Sequence, residues 1–138
     1  VGDVGHLSSA APDLGDAVYR QGRFEEALEI AEFSRSITIA GDVDAEVRGL
    51  GLLARVKARL GALDEAESLA AEAVRLAAAT DYLEGHATTL MNQAEVLTLA
   101  GKRAEAAAVV REAIELFGRK GDVVDLARAE ELLKELEP

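Results

Sequence analysis

Gly22-Arg23-Phe24-Glu25-Glu26-Ala27 returns as Gly61-Ala62-Leu63-Asp64-Glu65-Ala66 and, more loosely, as Gly101-Lys102-Arg103-Ala104-Glu105-Ala106. Halfway between these glycines runs a second marker, Gly41-Asp42, Thr80-Asp81 and Gly121-Asp122, whose aspartates keep nearly the same spacing as the glycines. Two independent markers on one period define a repeat of about 40 residues.

Between the markers the apolar pattern is helical. Ala66, Leu69, Ala70, Ala73, Leu76 and Ala77 follow the i, i+3, i+4, i+7 rule. Ala87, Leu90, Met91, Ala94 and Leu97 do the same, as do Ala106, Val109, Val110, Ala113, Leu116 and Phe117. No segment alternates with period two for long, so no strand is expected. Composition agrees: 27 alanines and 19 leucines fill a third of 138 residues, with only two prolines and five aromatics. Alanine and leucine rank among the best helix formers. The glycine after each first helix permits the left-handed turn that ends it. Acids at Glu25, Glu26, Asp64, Glu65 and Glu105 suit the positive end of the helix that follows. Asp42, Asp81 and Asp122 read as N-caps, and Asp81 with Glu84 has capping-box spacing.

Each unit therefore reads as two antiparallel helices. We expect helices over about 12–21, 24–39, 43–60, 63–79, 82–100, 103–118 and 122–136. They group as repeats 12–40, 42–79 and 81–118 with a cap at 122–136, whose apolar face is Leu126, Ala129, Leu133 and Leu136. Residues 1–11 are expected to be a disordered tail or an expression remnant. Val1 in place of methionine fits a piece of a longer protein.

This pattern resembles the tetratricopeptide repeat family. The carriers are Gly22/Phe24/Ala27 and Gly61/Leu63/Ala66, with further small residues at Ser34, Ala73 and Ala113, and at Gly15, Ala54 and Ala94. Arg103 and Ser34 depart from the family's pattern, and the period exceeds its usual length of about 34. A longer repeat is similar to the C-terminal repeats of bacterial multidomain signalling ATPases, nucleotide-cyclase-like proteins and transcriptional activators. The resemblance implies an all-α, right-handed superhelical solenoid of three repeats and a capping helix. It further implies a protein-interaction or scaffolding module of a larger signalling protein.

Several chemistries find no residues to carry them. The absence of cysteine removes disulfides, thiolate metal sites and cysteine nucleophiles, and fits a cytoplasmic protein. A net charge of −11 disfavours nucleic acid and anionic lipid. No charge-free run exceeds the stretch Gly85–Ala94, too short to span a membrane, and no signal peptide is apparent. His6 and His86 stand alone, so neither a metal site nor a catalytic base is expected. Asp42-Val43-Asp44 opens like a calcium loop but lacks the glycine and glutamate that should follow. Gly49-Leu50-Gly51-Leu52-Leu53-Ala54 matches a dinucleotide fingerprint in letters only, because no strand precedes it and the register puts both glycines inside a helix. No enzyme, cofactor or metal is expected.

The most specific hint is positional. Arg48, Arg55 and Arg59 fall within about 40° on one helical face, with Leu52 beside them. The resemblance implies that the first helix of each pair lines a concave groove, and in the repeat register this face points into it. The next first helix contributes Thr88, Met91, Asn92 and Glu95, while Arg20 and Arg128 flank the groove. An arginine stripe in an acidic protein can take a carboxylate or an acidic peptide. It can equally be a solvated face paired with Asp44 and Glu46. Self-association through the first helix pair, which lacks an obvious polar cap, and small-molecule sensing in the groove are the other readings.

Overall fold

The structure is a computed structural model that describes the backbone from residue 4 to residue 138 and the side chains from residue 11 onward. Its architecture starts at the three repeated glycines. Gly22, Gly61 and Gly101 have φ of +79°, +92° and +80°, the left-handed region where a Cβ is strained. The residue after each glycine donates its N–H to the carbonyl five positions back. The bonds are Arg23 to Val18 at 3.3 Å, Ala62 to Lys57 at 2.9 Å and Lys102 to Leu97 at 2.8 Å. This pattern satisfies carbonyls that a helix end leaves open and turns the chain back on itself.

Seven helices result among the described residues: α1 (Val4–Arg20), α2 (Phe24–Ile37), α3 (Val43–Arg59), α4 (Leu63–Ala78), α5 (Leu83–Leu99), α6 (Arg103–Lys120) and α7 (Val123–Leu136). No strand occurs among the described residues. Helices α1/α2, α3/α4 and α5/α6 pair, and α7 covers α6. Between pairs, α1 packs on α3 and α3 on α5, whereas α2 packs on α3 and α4 on α5. The first helices thus form one layer and the second helices lie behind it.

Small side chains set how closely the helices approach. Ala27, Ala66 and Ala106 are each 0% exposed at the equivalent point of the second helices. Ala54, Ala94, Ala113, Ala73, Gly15 and Ser34 are buried as well. Gly51 also serves packing, since a Cβ there would meet Asn92 Nδ2 of α5 at 2.9 Å. The fingerprint-like glycines therefore lie inside α3, as the register requires. Leu52, Leu53 and Val56 with Val18 and Tyr19 fill the first core cluster. Leu90, Leu97, Val110, Leu116 and Phe117 fill the last.

Two boundaries differ from expectation. The chain is helical from Val4, with Pro12 inside α1 and Ala11 and Pro12 buried, so the first helix starts well before the expected residue 12 and takes in residues 4–11 of the expected tail. The remainder of the expected tail, residues 1–3, lies outside the described residues. Asp42 and Asp122 cap α3 and α7, accepting from Ala45 N at 3.1 Å and Asp125 N at 3.0 Å. Asp81 does not cap α5, because that helix begins one residue later and its cap position falls on Tyr82. Here Thr80 acts instead: its hydroxyl donates to Ala77 O at 2.8 Å and accepts from Tyr82 N at 3.3 Å.

Candidate functional site

The open face of α1, α3 and α5 carries two adjoining depressions. The larger, of about 420 Å³, takes Tyr19 and Arg20 from α1, Arg55 and Arg59 from α3, and Met91, Asn92, Glu95 and Leu99 from α5. Leu132 of α7 closes one side. The smaller, of about 170 Å³, adds Asp13, Asp16, Arg48 and Thr88. Arg20, Arg55 and Asn92 border both.

Every arginine of the stripe has a carboxylate. Arg48 reaches Asp13 at 2.8 Å and Asp44 at 3.2 Å. Arg55 reaches Asp16 at 2.8 Å, donates Nε–H to Gly51 O at 3.3 Å and lies 5.1 Å from the Tyr19 ring centre. It is only 9% exposed, so desolvation makes these partners necessary. Arg59 donates to the Tyr19 hydroxyl at 3.0 Å and stands 3.8 Å from Glu95. Its guanidinium lies 5.9 Å from the Tyr19 ring and 5.8 Å from the Phe24 ring, within cation–π reach. The Tyr19 hydroxyl in turn donates to Glu95. Burial raises the Tyr19 pKa above the usual 10.0, with the Arg59 hydrogen bond pulling the other way. The bond to Tyr19 is also the main cause of the raised pKa of Arg59.

Most of the residues expected on the groove are there: Arg48, Arg55, Arg59, Thr88, Met91, Asn92 and Glu95. Two are not. Leu52 is 1% exposed and packs over Gly15, where even a methyl group would collide with its Cδ2. It belongs to the core and offers a ligand no apolar contact. Arg128 is solvent-exposed and pairs with Asp125 at 3.7 Å; α7 gives the groove Leu132 instead.

Asp13, Asp16, Tyr19, Leu99 and Leu132 join the groove without having been expected there. A signal for the acids exists in the sequence. Asp16, Arg55 and Glu95 are spaced by the same period as the repeated glycines. They occupy one register position on neighbouring first helices, so opposite charges face each other across the layer. The guanidiniums of Arg20, Arg48, Arg55 and Arg59 are balanced by Asp13, Asp16, Asp44 and Glu95.

A second acidic group lies elsewhere. Oxygens of Glu84, Asp122 and Asp125 approach within 4.8 Å of one another. The side-chain hydrogen bond to the Asp122 carboxylate raises the Asp125 pKa, while the backbone N–H of Asp125 lowers that of Asp122. No helix among the described residues is long and apolar enough to cross a membrane.

No family model and no curated protein matches this chain. Among solved structures it is similar to the crystal structure of BtubC (BKLC) from P. vanneervenii, with 25% identity and a TM-score of 0.75. The likeness covers 96% of this chain and 55% of that one, so this chain spans little more than half the length of that protein.

Proposed function

We propose that the chain is a tetratricopeptide-like solenoid that binds a peptide or a helix of a partner protein in the groove of its first helices. The side-by-side packing of α1 on α3 and α3 on α5 supports a curved layer with that face inside. The single observation carrying the binding role is the depression of about 420 Å³, open to solvent and mixed in character. Met91, Leu99 and Leu132 give an apolar floor, and Arg20, Arg59, Asn92 and Thr98 give polar rims.

The internal carboxylates refine the expected preference for acid. A ligand carboxylate at Arg59 would share the guanidinium with Glu95, 3.8 Å away, so the charge is already partly neutralised and little free energy is gained. Affinity then comes chiefly from an apolar anchor, with a carboxylate fixing orientation. The test is selection of peptides from a displayed random library, followed by fluorescence anisotropy. Selected peptides should bind Met91→Glu and Arg59→Glu at least about tenfold more weakly, a loss of about 1.4 kcal/mol. Unchanged binding to both variants would overturn the groove assignment.

Self-association is the second reading, favoured by Leu14 on α1 and Phe33 on α2, which remain 58% and 50% exposed. Sedimentation over a concentration series checks it: a monomer throughout removes this reading.

A further inference from the structure

Eight large apolar side chains are exposed among the described residues, and five of them sit at one end of the helix pairs. Ile39 belongs to the link between α2 and α3, Val43 opens α3, Tyr82 belongs to the next link, and Val123 and Val124 open α7. Their exposures are 47%, 37%, 54%, 75% and 64%. At the opposite end Leu60 alone is exposed among the described residues. Single exposed apolar side chains are ordinary. Recurrence at the same register point of three successive units is not.

The three links adjoin in space. Val43, Val47, Ala77, Tyr82 and Gly85 line one cleft of about 130 Å³, which joins the first link to the second. Glu84 approaches Asp122 and Asp125, which joins the second to the third. The Tyr82 ring rests against Gly85, where a Cβ would meet its Cδ2 at 2.6 Å. Glycine at that position therefore gives the ring its seat beside the cleft. Carboxylates interleave with this row: Asp81 is exposed, Asp44 is exposed and pairs with Arg48, and Glu84, Asp122 and Asp125 are half-buried. Arg128 pairs with Asp125, and Arg35, Arg119 and Lys120 lie at the margins. Acids outnumber bases along the row itself, on a chain of net charge −11.

We propose that this edge docks a short basic amphipathic helix of a partner protein. Its apolar face would lie along Val43, Tyr82 and Val123, and its lysines or arginines would reach the flanking carboxylates. At a helix spacing of about 8–10 Å the row is about 20 Å long, which roughly 13 helical residues cover. The site is separate from the groove and does not depend on it.

The probe is a fluorescent peptide of about 14 residues, built from leucine and lysine at helical spacing, beside a scrambled peptide of identical composition. Anisotropy would be measured with the wild type, with Val123→Asp/Val124→Asp, with Asp81→Lys and with the groove variant Met91→Glu. The substituted edge positions Asp81, Val123 and Val124 are exposed, and circular dichroism confirms folding. The amphipathic peptide should bind at least about tenfold more tightly than the scrambled one. The double valine variant should lose most of that difference, Asp81→Lys part of it, and Met91→Glu none. Equal binding of the two peptides would overturn the proposal. So would loss of binding in Met91→Glu alone, which would place the peptide in the groove. Sedimentation showing a dimer that Val123→Asp/Val124→Asp dissolves would replace the partner helix with a second copy of this chain.

Discussion

The two ends of the helix pairs are built on different rules. At one end the chain turns in three residues each time, 21–23, 60–62 and 100–102. Each turn has a left-handed glycine and the same five-back hydrogen bond. At the other end the links are 38–42, 79–82 and 121–122, all of different length. Gly41 and Gly121 take positive φ in two of them, and the third contains no positive-φ residue. The first kind of turn is fixed by local chemistry, so it repeats. The second only has to deliver one pair onto the next, so its residues are free to vary, and the exposed apolar side chains lie in it or in the first turn after it.

The contrast can be broken at the tight end. Ala66, fully buried just past the Gly61 turn, is packed among Ala54, Ala58, Ala70 and Val96. Ala66→Leu overfills that seam and should cost about 1–3 kcal/mol in a urea melt, occasionally more. Gly61→Ala follows. No atom lies within 4 Å of the added Cβ, so only the φ of +92° resists it. The expected loss is about 1–2 kcal/mol. Equal stability of Gly61→Ala and wild type would show that the turn is not set by its glycine.

The other end gives smaller effects that sharpen the comparison. Asp42→Ala removes the acceptor for Ala45 N and should lower stability by about 1 kcal/mol. Asp81→Ala, which removes no cap, should stay within about 0.5 kcal/mol of wild type. A matching loss in both would restore Asp81 as a cap.

The smallest effect belongs to the groove between the two ends. The chain has two tyrosines, so Tyr82→Phe leaves Tyr19 as the sole ultraviolet reporter. Burial raises its pKa, so its alkaline transition should have a midpoint above 10.0. The linked stability is fully present below 10.0 and is lost as pH rises through the folded value. A midpoint at or below 10.0 would mean that Tyr19 is not buried against Arg59 and Glu95.

What is legible in the sequence follows the same division. The glycine turns are readable because positive φ leaves a residue-type signature, and the alanine seams because close approach does too. Leu52 misleads because helical spacing puts it beside the arginines. Only the neighbouring helix, with a glycine at position 15, supplies the hole that takes it into the core. Pro12 reads as a helix start, since a proline inside a helix costs a hydrogen bond, yet α1 runs through it from Val4. The arginine stripe is legible as a stripe. Its neutralisation is harder to see, because Asp16 lies a full repeat away from Arg55, Glu95 lies nearly as far from Arg59, and each pair meets only in the register of the layers. Asp81 looks like its counterparts Asp42 and Asp122, but the link before it is one residue out of step.

The tight turns also bear on how such a chain changes length over generations. Their bonds reach back only five positions and ask nothing of distant sequence. The block from Gly61 to Gly101 therefore carries a complete hinge at either end. Unequal recombination between equivalent glycine codons would add or delete such a block in frame, and the only test the product must pass is whether its alanine seams still mesh with the new neighbour.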